Sequence, residues 1–93
     1  MQRQCEFCLR IVEHGTTQHH LIPRTCHSNK WFKKRFTRQQ MRQTVSLCRE
    51  CHGAVHRFIP SEKTLGRSFN TLEKLSLHPE LAKFRDWVVR QKT

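Results

Sequence analysis

Two cysteine pairs, Cys5-x2-Cys8 and Cys48-x2-Cys51, constrain this chain more than any other feature. Each pair can offer two sulfurs to one ion, and two pairs close the tetrahedral shell of a structural zinc. Disulfides and a redox-active thiol pair are the rival uses. Disulfides need an oxidising compartment. The N-terminus lacks the apolar stretch of a signal peptide, so a cytoplasmic, thiol-reducing location is expected and zinc is favoured. A redox pair needs a strand–helix–strand context that the sequence lacks. The chain has 93 residues, 35% of them hydrophobic, which allows a single domain over 1–93 with a thin core. Metal binding would add its free energy directly to folding. Cys26 is left over and reads as a small buried hydrophobe.

Charge points to the partner. Eighteen Lys and Arg face seven Asp and Glu, a formal charge of +11. Residues 30–42 hold six cations, Lys30, Lys33, Lys34, Arg35, Arg38 and Arg42, and no acid. Such a run neutralises phosphates and releases their counterions, so DNA is the expected partner. No apolar run approaches 18 residues, and no membrane partner is expected. Whether the chain is a monomer or a homodimer is left open.

The hydropathy pattern predicts an α+β fold. Residues 9–12 read as a strand, 13–15 as a turn, and 16–22 as the return strand, ended by Pro23. A short helix is predicted over 29–36 with Asn29 as cap, and a second begins at Arg38 behind the capping-box pattern Thr37-x2-Gln40. Residues 45–47 read as extended, 49–59 as a helix closed by Pro60, and 61–69 as a loop containing Gly66. Asn70-Thr71 caps a helix through Leu77, and His78-Pro79 opens the last one. Leu81, Phe84, Trp87 and Val88 are its expected core-facing stripe. The expected division is a zinc-knuckle core over 5–59 and a helical extension over 60–93.

Four of the seven histidines fall in two arrangements suited to a metal. His52 and His56 are spaced i, i+4 and share one helix face. His19 and His20 lie on a predicted strand and point to opposite faces, so one could ligate while the other stays free. His14, His27 and His78 read as ordinary surface or core residues.

Cys5-x2-Cys8, then His19-His20-Leu21-Ile22-Pro23-Arg24, then Leu47-Cys48-x2-Cys51-His52-x3-His56 resembles the HNH endonuclease signature with its zinc-knuckle accessory. The resemblance covers residues 5–56 in the family's order. It implies a ββα-metal finger, a β-hairpin packed on a helix with a catalytic divalent ion between them, here followed by additional C-terminal helices. It further implies that His19, His52 and His56 hold that ion and that His20 is the general base. The family's middle Asn falls on Gln43, leaving Asn29 or a backbone carbonyl as alternatives for orienting the base.

The residue types suit the chemistry. A neutral imidazole can take a proton from water near neutral pH, and Arg24 could grip a phosphate oxygen bidentately. An imidazole-rich ligand set favours Zn, Ni, Co or Mn over Mg. A metal-dependent DNA endonuclease is the expected activity. The alternatives are a non-catalytic zinc-stabilised DNA-binding module and a zinc-stabilised protein-interaction module.

Overall fold

A computed structural model describes residues 3–92; Met1, Gln2 and Thr93 of the expected domain lie outside the described residues. Strand β1 (Arg3–Gln4) leads into the first cysteine pair and β2 (Ile11–Val12) leaves it. Strands β3 (Thr17–His20) and β4 (Thr44–Leu47) are separated by a 3-10 turn (Arg24–Cys26) and two short helices, α1 (Lys30–Arg35) and α2 (Arg38–Met41). Helix α3 (Arg49–Phe58) follows β4, and α4 (Glu62–Ser68), α5 (Leu72–Leu77) and α6 (Pro79–Val88) complete the chain.

The expected hairpin between residues 9–12 and 16–22 does not form. Leu9 adopts the left-handed region at φ 66°, so the chain doubles back after Cys8 and β2 pairs antiparallel with β1. Gly15, at φ 81°, then redirects the chain, the kind of backbone glycine tolerates without a Cβ clash. Strand β3 pairs antiparallel with β4 instead, placing His19 opposite Val45 and Thr17 opposite Leu47. Opposed residues in an antiparallel pair share a face, and His19 and Val45 are both buried there. Helix α3 packs against both strands.

Helix starts follow the sequence closely. Asn29 accepts from the Trp31 amide, Thr37 and Gln40 form a reciprocal capping box, and Thr71 accepts from the Lys74 amide. Each cap satisfies donors that a helix start would otherwise orphan. His78 serves the same purpose for α6, its Nδ1 accepting from the Leu81 amide ahead of Pro79.

Two apolar clusters hold these pieces. The larger joins the four paired cysteines with Phe7, Leu47, Val55, Leu65, Leu75, Leu81 and Val88. The smaller, Ile22, Cys26, Phe32 and Met41, supports α1 and α2. Cys26 is buried there, as expected. Trp87 departs from its expected place and is 56% exposed. At 100° per residue it lies about 120° around the helix from Leu81 and about 100° from Val88, too far to share their stripe. Among the described residues, no helix is long and apolar enough to cross a membrane.

Residues 61–69 are mostly helix rather than the expected loop. Ser61 caps α4, and Gly66 is used for proximity, not for turning. A Cβ there would lie 2.9 Å from Cε1 of the fully buried Phe32 ring and 3.3 Å from Pro23 Cδ. Gly66→Ala therefore sets a helix-propensity gain of about 1 kcal/mol against an overpacking cost of about 1–3 kcal/mol. The ring has no free end to yield, so net destabilisation is expected. It should lower the thermal midpoint, at about 4–8 °C per kcal/mol lost for a domain of this size. An alanine variant melting at or above the parent would refute the close packing of α4 on α1.

Candidate metal centres and the histidine cleft

The first centre is built from two tight turns. After Cys5 the chain curls so that the Cys8 amide donates to Cys5 Sγ at 3.4 Å and the Leu9 amide to the Cys5 carbonyl at 2.9 Å. At the second pair the Cys51 amide donates to Cys48 Sγ at 3.5 Å, which makes Cys48 the cap of α3. The two turns meet edge to edge. Cys8 and Cys48 Sγ lie 3.8 Å apart, and all four sulfurs fall within 4.8 Å of one another. All four cysteines are buried and none is in a disulfide.

Arg10 completes this cluster. Its Nε donates to Cys8 Sγ at 3.3 Å and a terminal nitrogen to Cys48 Sγ at 3.4 Å, while Glu50 lies 3.9 Å away. Burial opposes its charge, but the two sulfurs outweigh that and hold the guanidinium above its ordinary range. Hydrogen bonds from Cys48 and then Cys51 lower the Cys5 thiol well below its usual value. The neighbouring sulfurs push Cys48 up to about 11 and Cys51 higher still. Four adjacent sulfurs cannot all ionise unless a cation neutralises them. The donor set fits that cation: four buried cysteines this close could hold a structural metal such as zinc.

The second centre lies across α3. His19 reaches it from β3, and His52 and His56 from successive turns of α3; their ligand atoms also fall within 4.8 Å of one another. The ring centroids are 5.0–5.3 Å apart. His19 is 1% exposed, and its Nε2 is buried without a hydrogen-bond partner. Such a nitrogen is costly to leave unsatisfied, and a cation facing the three rings would satisfy it. Burial first, then His52, His56 and His20, lowers the His19 pKa to about 4, keeping the ring neutral near pH 7 as a metal ligand must be.

Thr17 orients one of these ligands. Its hydroxyl oxygen lies 2.6 Å from His52 Nδ1 and 3.4 Å from the Leu47 carbonyl oxygen. With the hydroxyl donating to Leu47 and accepting from Nδ1–H, His52 Nε2 would keep the lone pair that a hydrogen-bonded imidazole offers a metal.

A cleft of about 160 Å³ joins the trio to His20, Arg24, Gln18, Pro23 and Glu62. His20 is half-buried, and burial, His27 and Arg24 lower its pKa. Neither the Gln43 nor the Asn29 side chain is among the residues lining this cleft. Gln43 lines a separate hollow with Phe36 and Asn70, and Asn29 Oδ1 is engaged by the Trp31 amide. The ring beside His20 is His27, at 6.1 Å between centroids, with its Nε2 donating to the Ile22 carbonyl at 2.9 Å. The six cations of residues 30–42 are all exposed, five on α1 and α2 and Arg42 at the end of α2.

Sequence reasoning overlooked Arg10, Thr17, His27 and Glu62. Only Arg10 carried a local signal, a cation two residues beyond a cysteine pair. The other three become relevant through tertiary contacts.

The thiol centre should be part of the folding reaction. Stripping it with a strong chelator should abolish helical circular dichroism cooperatively, since α3 begins at Cys48. Full helicity in the metal-free protein would contradict this.

The Thr17 contact makes a sharper prediction. Thr17→Val should weaken zinc binding at the histidine trio by about 10–100-fold, as loss of such ligand-orienting bonds does, while Thr17→Ser retains it. Calorimetric titration of the second zinc equivalent measures this, and an unchanged valine variant would discard the role.

Searches of protein-family models, curated proteins and solved structures returned no match to this chain.

Proposed function

We propose that this chain is a metal-dependent endonuclease that hydrolyses phosphodiester bonds in DNA, with β3, β4 and α3 as its ββα-metal finger. The observation that carries the reading is the orphaned, buried His19 Nε2 facing His52 and His56 in a cleft shared with His20 and Arg24. His19, His52 and His56 would hold the divalent ion, and their nitrogen ligands suit Zn, Mn, Ni or Co better than Mg. When bound, that ion supplies Lewis-acid stabilisation of charge on the phosphate.

The chain's own residues supply the rest. His20 stays largely neutral near pH 7 because its pKa is lowered, so it can accept a proton from a water in the cleft. Arg24, exposed at the cleft wall, can donate two parallel hydrogen bonds to phosphate oxygens. His19 and His20 are neighbours in sequence, yet β3 buries the first beneath α3 and leaves the second half-exposed. That alternation keeps a ligand and a base from competing for one position.

Cleavage of supercoiled plasmid across a series of divalent ions tests this. His20→Ala should keep both metals and its DNA affinity while losing about 10²–10⁴-fold in single-turnover rate, the usual size of a general-base contribution. His19→Ala, His52→Ala and His56→Ala should weaken the exchangeable ion, with activity partly restored by excess metal. Imidazole should rescue only His20→Ala. If His20→Ala cleaved like the parent, the base assignment would fail. Intact plasmid with tightly bound protein under every ion would favour the non-catalytic DNA-binding module.

A further inference from the structure

The six cations of residues 30–42 form one run in sequence but separate in space. Lys33 of α1, Arg38 of α2 and Arg42 just beyond it line a hollow of about 310 Å³ together with His27, Ser28 and Met41. Met41, nearly fully buried, belongs to the small apolar cluster beneath. Among the described residues, no carboxylate lines this hollow. Arg35 is committed elsewhere: its guanidinium lies 4.1 Å from the Trp31 ring and donates to the Trp31 carbonyl at 3.2 Å. Arg67 stacks on the same ring at 4.7 Å.

We propose that the hollow lined by His27, Ser28, Lys33, Arg38 and Arg42 is a phosphate subsite that grips the DNA backbone beside the histidine cleft. Three cations around one concavity repel each other without an anion between them, and a phosphodiester supplies that anion. Lys33, Arg38, Arg42 and the Ser28 hydroxyl can all donate hydrogen bonds to phosphate oxygens. The position also fits. His27 lines this hollow, and its ring neighbours His20, which lines the cleft with His19, His52 and His56. The two concavities thus adjoin through the His20 and His27 rings, close enough for one DNA strand to reach both. The assignment rests on the endonuclease reading only for the identity of the anion as DNA. It divides the basic run into Lys33, Arg38 and Arg42, which hold the backbone, and Lys30, Lys34 and Arg35, which add diffuse charge.

Two variants of equal charge separate this from a merely basic surface. One is Lys33→Gln/Arg38→Gln/Arg42→Gln; the other is Lys30→Gln/Lys34→Gln/Arg35→Gln. Fluorescence anisotropy with a labelled 20-base-pair duplex, across a salt series and without added divalent ions, gives affinity and salt slope. All six side chains are exposed, and circular dichroism confirms that both variants fold. The first variant should lose at least tenfold in affinity and flatten log K against log salt by about 0.9 for each contact removed. The second should change the slope by less than one contact. Equal losses in the two variants, a larger loss in the second, or a parent that binds no duplex at low salt would each overturn the subsite. Plasmid cleavage is scored separately on the parent. A first variant that loses binding, with a parent that never cleaves, retains the subsite and removes the nuclease. Cleavage with an unaltered slope does the reverse.

Discussion

The meeting of four buried sulfurs from opposite ends of a 39-residue excursion sets the frame for nearly everything else. The first cysteine turn lies on the outer edge of β4, where the Glu6 amide donates to the Ser46 carbonyl at 2.8 Å and the Glu6 carboxylate accepts from the Ser46 amide. The second turn is also the start of α3, so docking the sulfurs fixes both the edge of the sheet and the origin of the helix. The other edge of β4 carries β3 and, with it, His19. A chain with few apolar residues gains little from burial alone. Here the thiol cluster is part of the larger core, together with Leu47 and Val55. Arg10 is the counterpart of that economy, a cation tolerated at 8% side-chain exposure because two sulfurs accept its hydrogen bonds.

Helix α3 serves both centres, and helical geometry keeps them apart. Cys51 and Val55 lie on its buried face, whereas His52 and His56, each one residue later, turn about 100° toward β3. The thiols are soft donors whose charges demand a cation, and all four are buried. The imidazoles are neutral, borderline donors beside an open cleft. That contrast is the one that separates structural from exchangeable metal sites elsewhere in protein chemistry.

Much of this was legible because it is local. Cysteine spacing, the Asn29 and Thr71 caps, the Thr37 capping box and the His52/His56 pair each depend on residues within one turn. Strand pairing was not legible, because β2 and β3 are short and the left-handed Leu9 that reverses the first excursion has no sequence signature. Gly66 misled for a related reason. A glycine reads as a break, and only the Phe32 ring above it shows that closeness was what the position required. His27 looked ordinary, since nothing in the sequence says that the turn after Pro23 folds back onto His20.

The two apolar clusters divide the labour in a way that bears on the chemistry. The larger one, with the sulfurs inside it, positions β3, β4 and α3 and with them the three imidazoles. The smaller one supports α1 and α2, which carry exposed cations. Between them runs the segment from Leu21 to Cys26, with Leu21 in the larger cluster and Ile22 and Cys26 in the smaller. Arg24 sits within this bridge and His20 immediately precedes it on β3, and Gly66 brings α4 against Phe32 and Pro23. The turn that carries Arg24 and His27 thus rests on packing around Phe32, while the elements that carry His19, His52 and His56 rest on the core built around the sulfurs.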